Sequence, residues 1–100
     1  MPEFTFTAPL WRWQGDGAAW YFLTLPETAA AEIRIATSGL RRGFGSVRVG
    51  VDVGRSRWRT SVFPDRQRNS YLLPLKVAVR KAERIVEGDM VDVSLSLLEV

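Results

Sequence analysis

Tyr71-Leu72-Leu73-Pro74-Leu75-Lys76-Val77-Ala78-Val79-Arg80-Lys81-Ala82-Glu83-Arg84-Ile85-Val86-Glu87-Gly88-Asp89-Met90-Val91-Asp92-Val93-Ser94-Leu95-Ser96-Leu97 is the stretch whose reading decides the fold. It divides into a short strand, a helix, a Gly-Asp turn and a final strand. Leu75, Val79, Ala82 and Ile85 recur at helical spacing along one stripe, and Lys76, Arg80 and Arg84 line up on another. Pro74 suits the helix entrance, where a missing N–H is no loss, and Gly88 suits the exit, where a left-handed residue is wanted. Beyond Asp89, Val91, Val93, Leu95 and Leu97 alternate with Asp92, Ser94 and Ser96, the pattern of a half-buried strand.

Working outward, Val47, Val49, Val51 and Val53 alternate with Arg48, Gly50 and Asp52, and Gly54-Arg55-Ser56 turns the chain into a second alternation at Trp58, Thr60 and Val62. Phe63 to Ser70 is polar and proline-containing and reads as a loop. Residues 3–13 read as one strand bent near Pro9, followed by a turn at Gln14-Gly15-Asp16-Gly17 and a strand at 18–25 antiparallel to the first. In that strand Trp20 and Phe22 share one face, Tyr21 and Leu23 the other. Thr24-Leu25-Pro26-Glu27 has the pattern of a capping box, so a helix should follow, burying Ala29, Ala30, Ile33 and Ala36 and ending at Ser38-Gly39. The fold class is mainly β. The element order predicts a small closed barrel of about six strands, mixed but mostly antiparallel, with two short helices near 26–38 and 75–86. An open α+β sheet is the competing architecture. Trp20 and Trp58 are expected to fill the barrel.

One hundred residues make one domain, 1–100. The chain has no cysteine and no histidine, which excludes disulfides, thiolate chemistry, the usual zinc sites and any Ser-His or Cys-His nucleophile. The scattered Asp52, Asp65 and Asp89 do not form a paired-carboxylate site. Neither a cofactor nor a metal is expected. The longest apolar stretch, Ala18 to Leu23, is too short to cross a bilayer, and Met1 to Phe6 lacks a basic leader, so a cytoplasmic location without membrane attachment is expected. The formal net charge is +3, but between Arg41 and Arg84 twelve Arg or Lys face only Asp52, Asp65 and Glu83. This is either a solvated surface with local ion pairs or an anion-attracting face.

Several pieces, taken in order, resemble one family: Trp20 with Pro26; Arg42-Gly43-Phe44-Gly45 with Val47 and Val49; Trp58, Thr60, Ser61, Phe63 and Pro64; Tyr71, Leu73, Pro74, Lys76, Val79, Arg80, Lys81 and Ala82; and Gly88-Asp89 with Val91 and Val93. On these residues the chain is similar to the DUF1905 domains from about residue 4 to 98. The resemblance implies a small β-barrel and no established activity. The opening stretch alone is also similar, more loosely, to the swapped-hairpin DNA-binding domains of bacterial transition-state regulators, which implies a shared local device of a basic helix closed by Gly-Asp before a strand.

The residues point to a binding module. Arg42, Gly43, Phe44 and Gly45 form a glycine-rich loop whose backbone N–H groups can approach an anion, although the spacing is not that of a P-loop; a plain bend is the alternative. Lys76 and Arg80, one helical turn apart, can clamp a carboxylate or phosphate, or else pair with Glu83 or Glu87. Ser61 is a candidate polar contact or a hydroxyl satisfied within the sheet. Phe44 and Tyr71, near loops and arginines, are candidates for stacking. The expected partner of this module is an anionic small molecule or an acidic protein segment. Nucleic acid bound along the basic 41–84 segment is the second reading, and an enzyme working without His or Cys the third. Oligomeric state is not legible.

Overall fold

In a computed structural model describing residues 3–38 and 45–98, the elements are β1 (Glu3–Pro9), β2 (Trp11–Gly15), β3 (Ala18–Thr24), α1 (Glu27–Thr37), β4 (Val47–Val53), β5 (Ser56–Asp65), β6 (Ser70–Pro74), α2 (Val77–Glu83) and β7 (Met90–Leu97). The strands form one seven-stranded sheet in the order β1-β7-β4-β5-β6-β3-β2, each described pairing antiparallel.

Two bends curl this sheet. The first is at Leu10, where the run from Glu3 to Gly15 breaks into β1, which pairs with β7, and β2, which pairs with β3. Leu10 is buried, its N–H donates to the Asp89 carbonyl (2.9 Å) and its carbonyl accepts from the Gly88 N–H (2.8 Å), so the corner is tied to the turn before β7. The second lies within β5, whose Ser56–Val62 portion pairs with β4 while Phe63–Asp65 pairs with β6. Because β1 and β2 are successive halves of one run, they form the two ends of the sheet without pairing to each other. The result is an open half-barrel of seven antiparallel strands, where the sequence predicts a closed and partly mixed barrel of six. The residues expected in a loop from Phe63 are in part a strand, because β6 supplies backbone partners to Phe63, Pro64 and Asp65.

The core lies on the concave side. Phe4, Ala8, Val49, Val51, Val53, Val62, Val91, Val93, Leu95 and Leu97 come from β1, β7, β4 and the first part of β5; Leu23, Tyr71 and Leu73 come from β3 and β6. Their alternation is the period of two that a one-sided sheet imposes.

Helix α1 lies against β6 and buries Ala29, Ala30, Ile33 and Thr37, close to the expected set, with Ala36 half-buried. Its entrance is not a capping box. Pro26 occupies the N-cap position with no side-chain cap bond, and the Thr24 hydroxyl accepts instead from Trp11 Nε1–H at 2.9 Å. The chain here is tied down by Ser70, whose hydroxyl donates to the Leu25 carbonyl (2.7 Å).

Helix α2 is shorter than its spacing implies. Pro74 ends β6, Leu75 is buried ahead of the helix, and Lys76 is the N-cap. Val79 and Ile85 pack on the core, but Ala82 is exposed and no helical residue is fully buried. The helix ends at Arg84, which takes the left-handed conformation expected of Gly88; Gly88, at φ 93°, serves the next turn, where Asp89 accepts from the Val86 N–H (2.9 Å). Glu83 accepts from the Ser56 hydroxyl (2.6 Å) and the Arg55 N–H (3.3 Å), so α2 is fastened to the β4–β5 turn. Its carboxylate sits over Gly54, where a Cβ would strike it.

Candidate functional site

Residues that alternate with the core point to the convex side, and their character changes along the sheet. Register places Gly50 opposite Arg59, Arg48 opposite Ser61 and Asp52 opposite Arg57. Arg48, Arg57 and Arg59 are exposed on this side. Arg57 Nε donates to Asp52 Oδ1 at 2.6 Å, and that hydrogen bond, then the attraction of the carboxylate, raises the Arg57 pKa above its ordinary value. Arg48 Nη1 reaches the Ser61 hydroxyl at 3.4 Å. With no side chain at Gly50, an open depression of about 530 Å³ forms here, bordered by Glu3, Asp52, Arg57, Arg59, Ser96 and Leu98.

Toward β2 the outward positions become aromatic. Trp13 and Trp20 face each other across β2 and β3, and Trp11 faces Phe22. Trp13 is 50% and Trp20 53% exposed, unusual for side chains of this size. Trp20 and Phe22 lie nearly parallel, at 8° with ring centres 6.4 Å apart, and Trp11 meets Phe22 at 5.3 Å. The Trp13 ring lies over Gly15, in space that a Cβ at Gly15 would occupy. Arg68, held by Asp65 at 2.6 Å, places its guanidinium 4.6 Å from the centre of the Trp11 ring, so a cation borders the aromatic face. Phe63, also exposed, stands on β5 between the arginines and the rings.

Those of the residues singled out from sequence that the structure describes are not gathered at one place. Arg42, Gly43 and Phe44 lie outside the described residues. Gly45 has φ 86° and approaches Pro64. Ser61 is on the convex side beside Arg48. Tyr71 is 6% exposed and belongs to the core, so its ring is not offered to a ligand. Lys76 is exposed at the start of α2. Among the described residues Arg80 pairs with neither Glu83 nor Glu87: its Nε donates to the Leu75 carbonyl (3.0 Å) and its guanidinium lies 3.8 Å from the centre of the Tyr21 ring. The Arg80 fork is thus used in holding α2 to β3. Trp58 is half-buried against the core as expected, whereas Trp20 points outward.

The aromatic face was missed for a definite reason. Both sides of the 18–25 run are apolar, so its alternation does not say which side is buried. A usable signal was present: Trp11 and Trp13 flank Arg12 on a hairpin, which gives that hairpin two apolar sides and only one core to serve. Among the described residues no group of three His, Cys, Asp or Glu side chains could hold a metal ion, and no helix is long and apolar enough to cross a membrane.

A match to the family model described as Domain of unknown function (DUF1905) spans residues 6–95. The chain belongs to that family. No curated protein matches it.

Proposed function

We propose that this domain is a non-enzymatic binding module that takes an anionic partner on the convex side of its sheet. The observation that carries this reading is the charge of residues 45–70: six arginines (48, 55, 57, 59, 66 and 68) against Asp52 and Asp65. All six arginines are exposed, and both aspartates are half-buried. A hydrophobic core on one side and a common register force Arg48, Arg57 and Arg59 to the other, where their charges add, and Arg55, Arg66 and Arg68 stand in the turns that flank β5. Each is arginine rather than lysine, which favours planar, two-point contact with phosphate or carboxylate. The absence of histidine and cysteine leaves no group of ordinary near-neutral pKa for proton transfer or nucleophilic attack, which supports binding over catalysis.

Fluorescence anisotropy against labelled polyphosphate, polyglutamate and an oligothymidylate tests this. At low salt at least one polyanion should bind, with affinity falling as salt rises from about 50 to 200 mM. The double substitution Arg48→Glu with Arg59→Glu should weaken that binding while leaving the melting temperature nearly unchanged. Equal affinity in the double variant, or no polyanion bound at low salt, overturns the reading.

A further inference from the structure

We infer that the anionic partner is single-stranded nucleic acid, its bases stacking on the exposed indoles of Trp13 and Trp20 and its phosphates running along the arginines of β5 and the turn that follows it; this rests on the binding reading above.

An anion alone does not account for the aromatic half of the convex side. Leaving two indoles half in water is unfavourable unless something covers them, and the sheet is arranged to keep them available. Gly15 leaves room for the outer edge of the Trp13 ring, and Phe22 lies parallel to Trp20 with ring centres 6.4 Å apart, so each indole has protein on one side while about half of it stays open to solvent. A flat ring with protein on one side and about half of it open to solvent is suited to a planar guest. Nucleobases are planar, and stacking on such rings tolerates any sequence because every base has a π-face. A duplex does not fit, since its bases are already stacked and paired.

The phosphates need cations within reach of the same guest. Arg68 is already beside Trp11, and Arg66 lies in the same β5–β6 turn. From the β5 segment paired with β6 to β2 the sheet takes three inter-strand steps, about 14 Å, so a short oligonucleotide can touch both the β5–β6 turn and Trp13. An acidic protein segment would use the arginines but has no systematic use for half-exposed, flat rings.

Three probes separate the possibilities: an oligothymidylate, an abasic oligomer of the same length, and polyglutamate, each titrated with the native chain and with Trp13→Ala and Trp20→Ala variants. Because both side chains are half exposed, the variants should keep the native circular dichroism spectrum, which is recorded first. The oligothymidylate should bind most tightly, quench tryptophan fluorescence, and lose about 5- to 150-fold in affinity with each substitution. The abasic oligomer should bind more weakly and be indifferent to both. If the abasic oligomer binds as well as the oligothymidylate, or the tryptophan variants bind equally, the inference fails while the anion-binding reading stands. Polyglutamate bound more tightly than either oligomer also overturns it, in favour of an acidic protein. A chain that sediments as a dimer, and that Trp20→Arg makes monomeric, would assign the aromatic face to self-association and overturn it too. No binding to any probe overturns both readings.

Discussion

The two ends of the sheet share one interior and have different exteriors. Under β1, β7 and β4 the buried residues are Val, Leu, Ala and Phe, and under β3 and β6 they are Leu and Tyr. On the convex side, β1 and β7 carry Thr5, Thr7, Asp92, Ser94 and Ser96, the polar alternation of a sheet facing water, with Pro9 and the exposed Met90 at one end, whereas β2 and β3 carry Trp11, Trp13, Trp20 and Phe22. The first arrangement is what folding alone requires. The second is more than folding requires, because exposed indoles contribute little to stability and invite association. On the binding reading proposed above, the contrast puts the proposed surface at the β2–β3 end, with the arginines of β5 at its border.

The comparison can be broken first at its shared interior. Leu95→Ala on β7 and Leu23→Ala on β3 should each destabilise by about 2–5 kcal/mol in chemical unfolding, since both are fully buried. If one of them were nearly neutral, the two ends would not share a core. Next, Gly54→Ala should cost about 1–2 kcal/mol, because φ is 56° and the added methyl displaces the Glu83 carboxylate that fastens α2. In the Glu83→Ala background the cost should be smaller than in the native chain, and an equal cost would show that the two effects are unconnected.

At the exterior the effects shrink. Trp13→Ala should change stability by no more than about 1 kcal/mol, and Thr5→Ala at the other end by less than about 0.5 kcal/mol, by thermal melting. A loss at Trp13 as large as that at Leu23 would make it a core residue and remove the contrast. The smallest effect belongs to Arg57→Ala, whose exposed pair with Asp52 should leave the melting temperature unchanged. The raised folded pKa of Arg57 contributes stability below the ordinary arginine pKa and loses it only as pH rises beyond, so no titration of the Arg57 guanidinium should appear near neutrality.

Much of this was legible in the chain. The alternations at 47–53 and 91–97 identify β4 and β7 because those strands have one wet and one dry side, and Ala29, Ala30 and Ile33 identify the buried stripe of α1. The failures have physical causes. A run apolar on both sides hides its direction, as at Trp20. A turn-rich composition can still be recruited into a ladder when a partner strand is near, as at Phe63–Asp65. Arg80 reads as part of a cationic row until the fold brings Tyr21 beneath it, a contact between residues remote in sequence. The number of strands depends on the break at Leu10, which is stabilised by backbone bonds to Gly88 and Asp89 that no local pattern reveals.

The most direct measurement is amide chemical-shift mapping during titration with an oligothymidylate. Shifts concentrated at Trp11–Gly15, Ala18–Phe22 and Arg59–Arg68, including the Trp13 and Trp20 indole N–H signals, are the predicted result. Shifts centred on Lys76–Arg84 or on β1 and β7, with the indole signals unmoved, would contradict it.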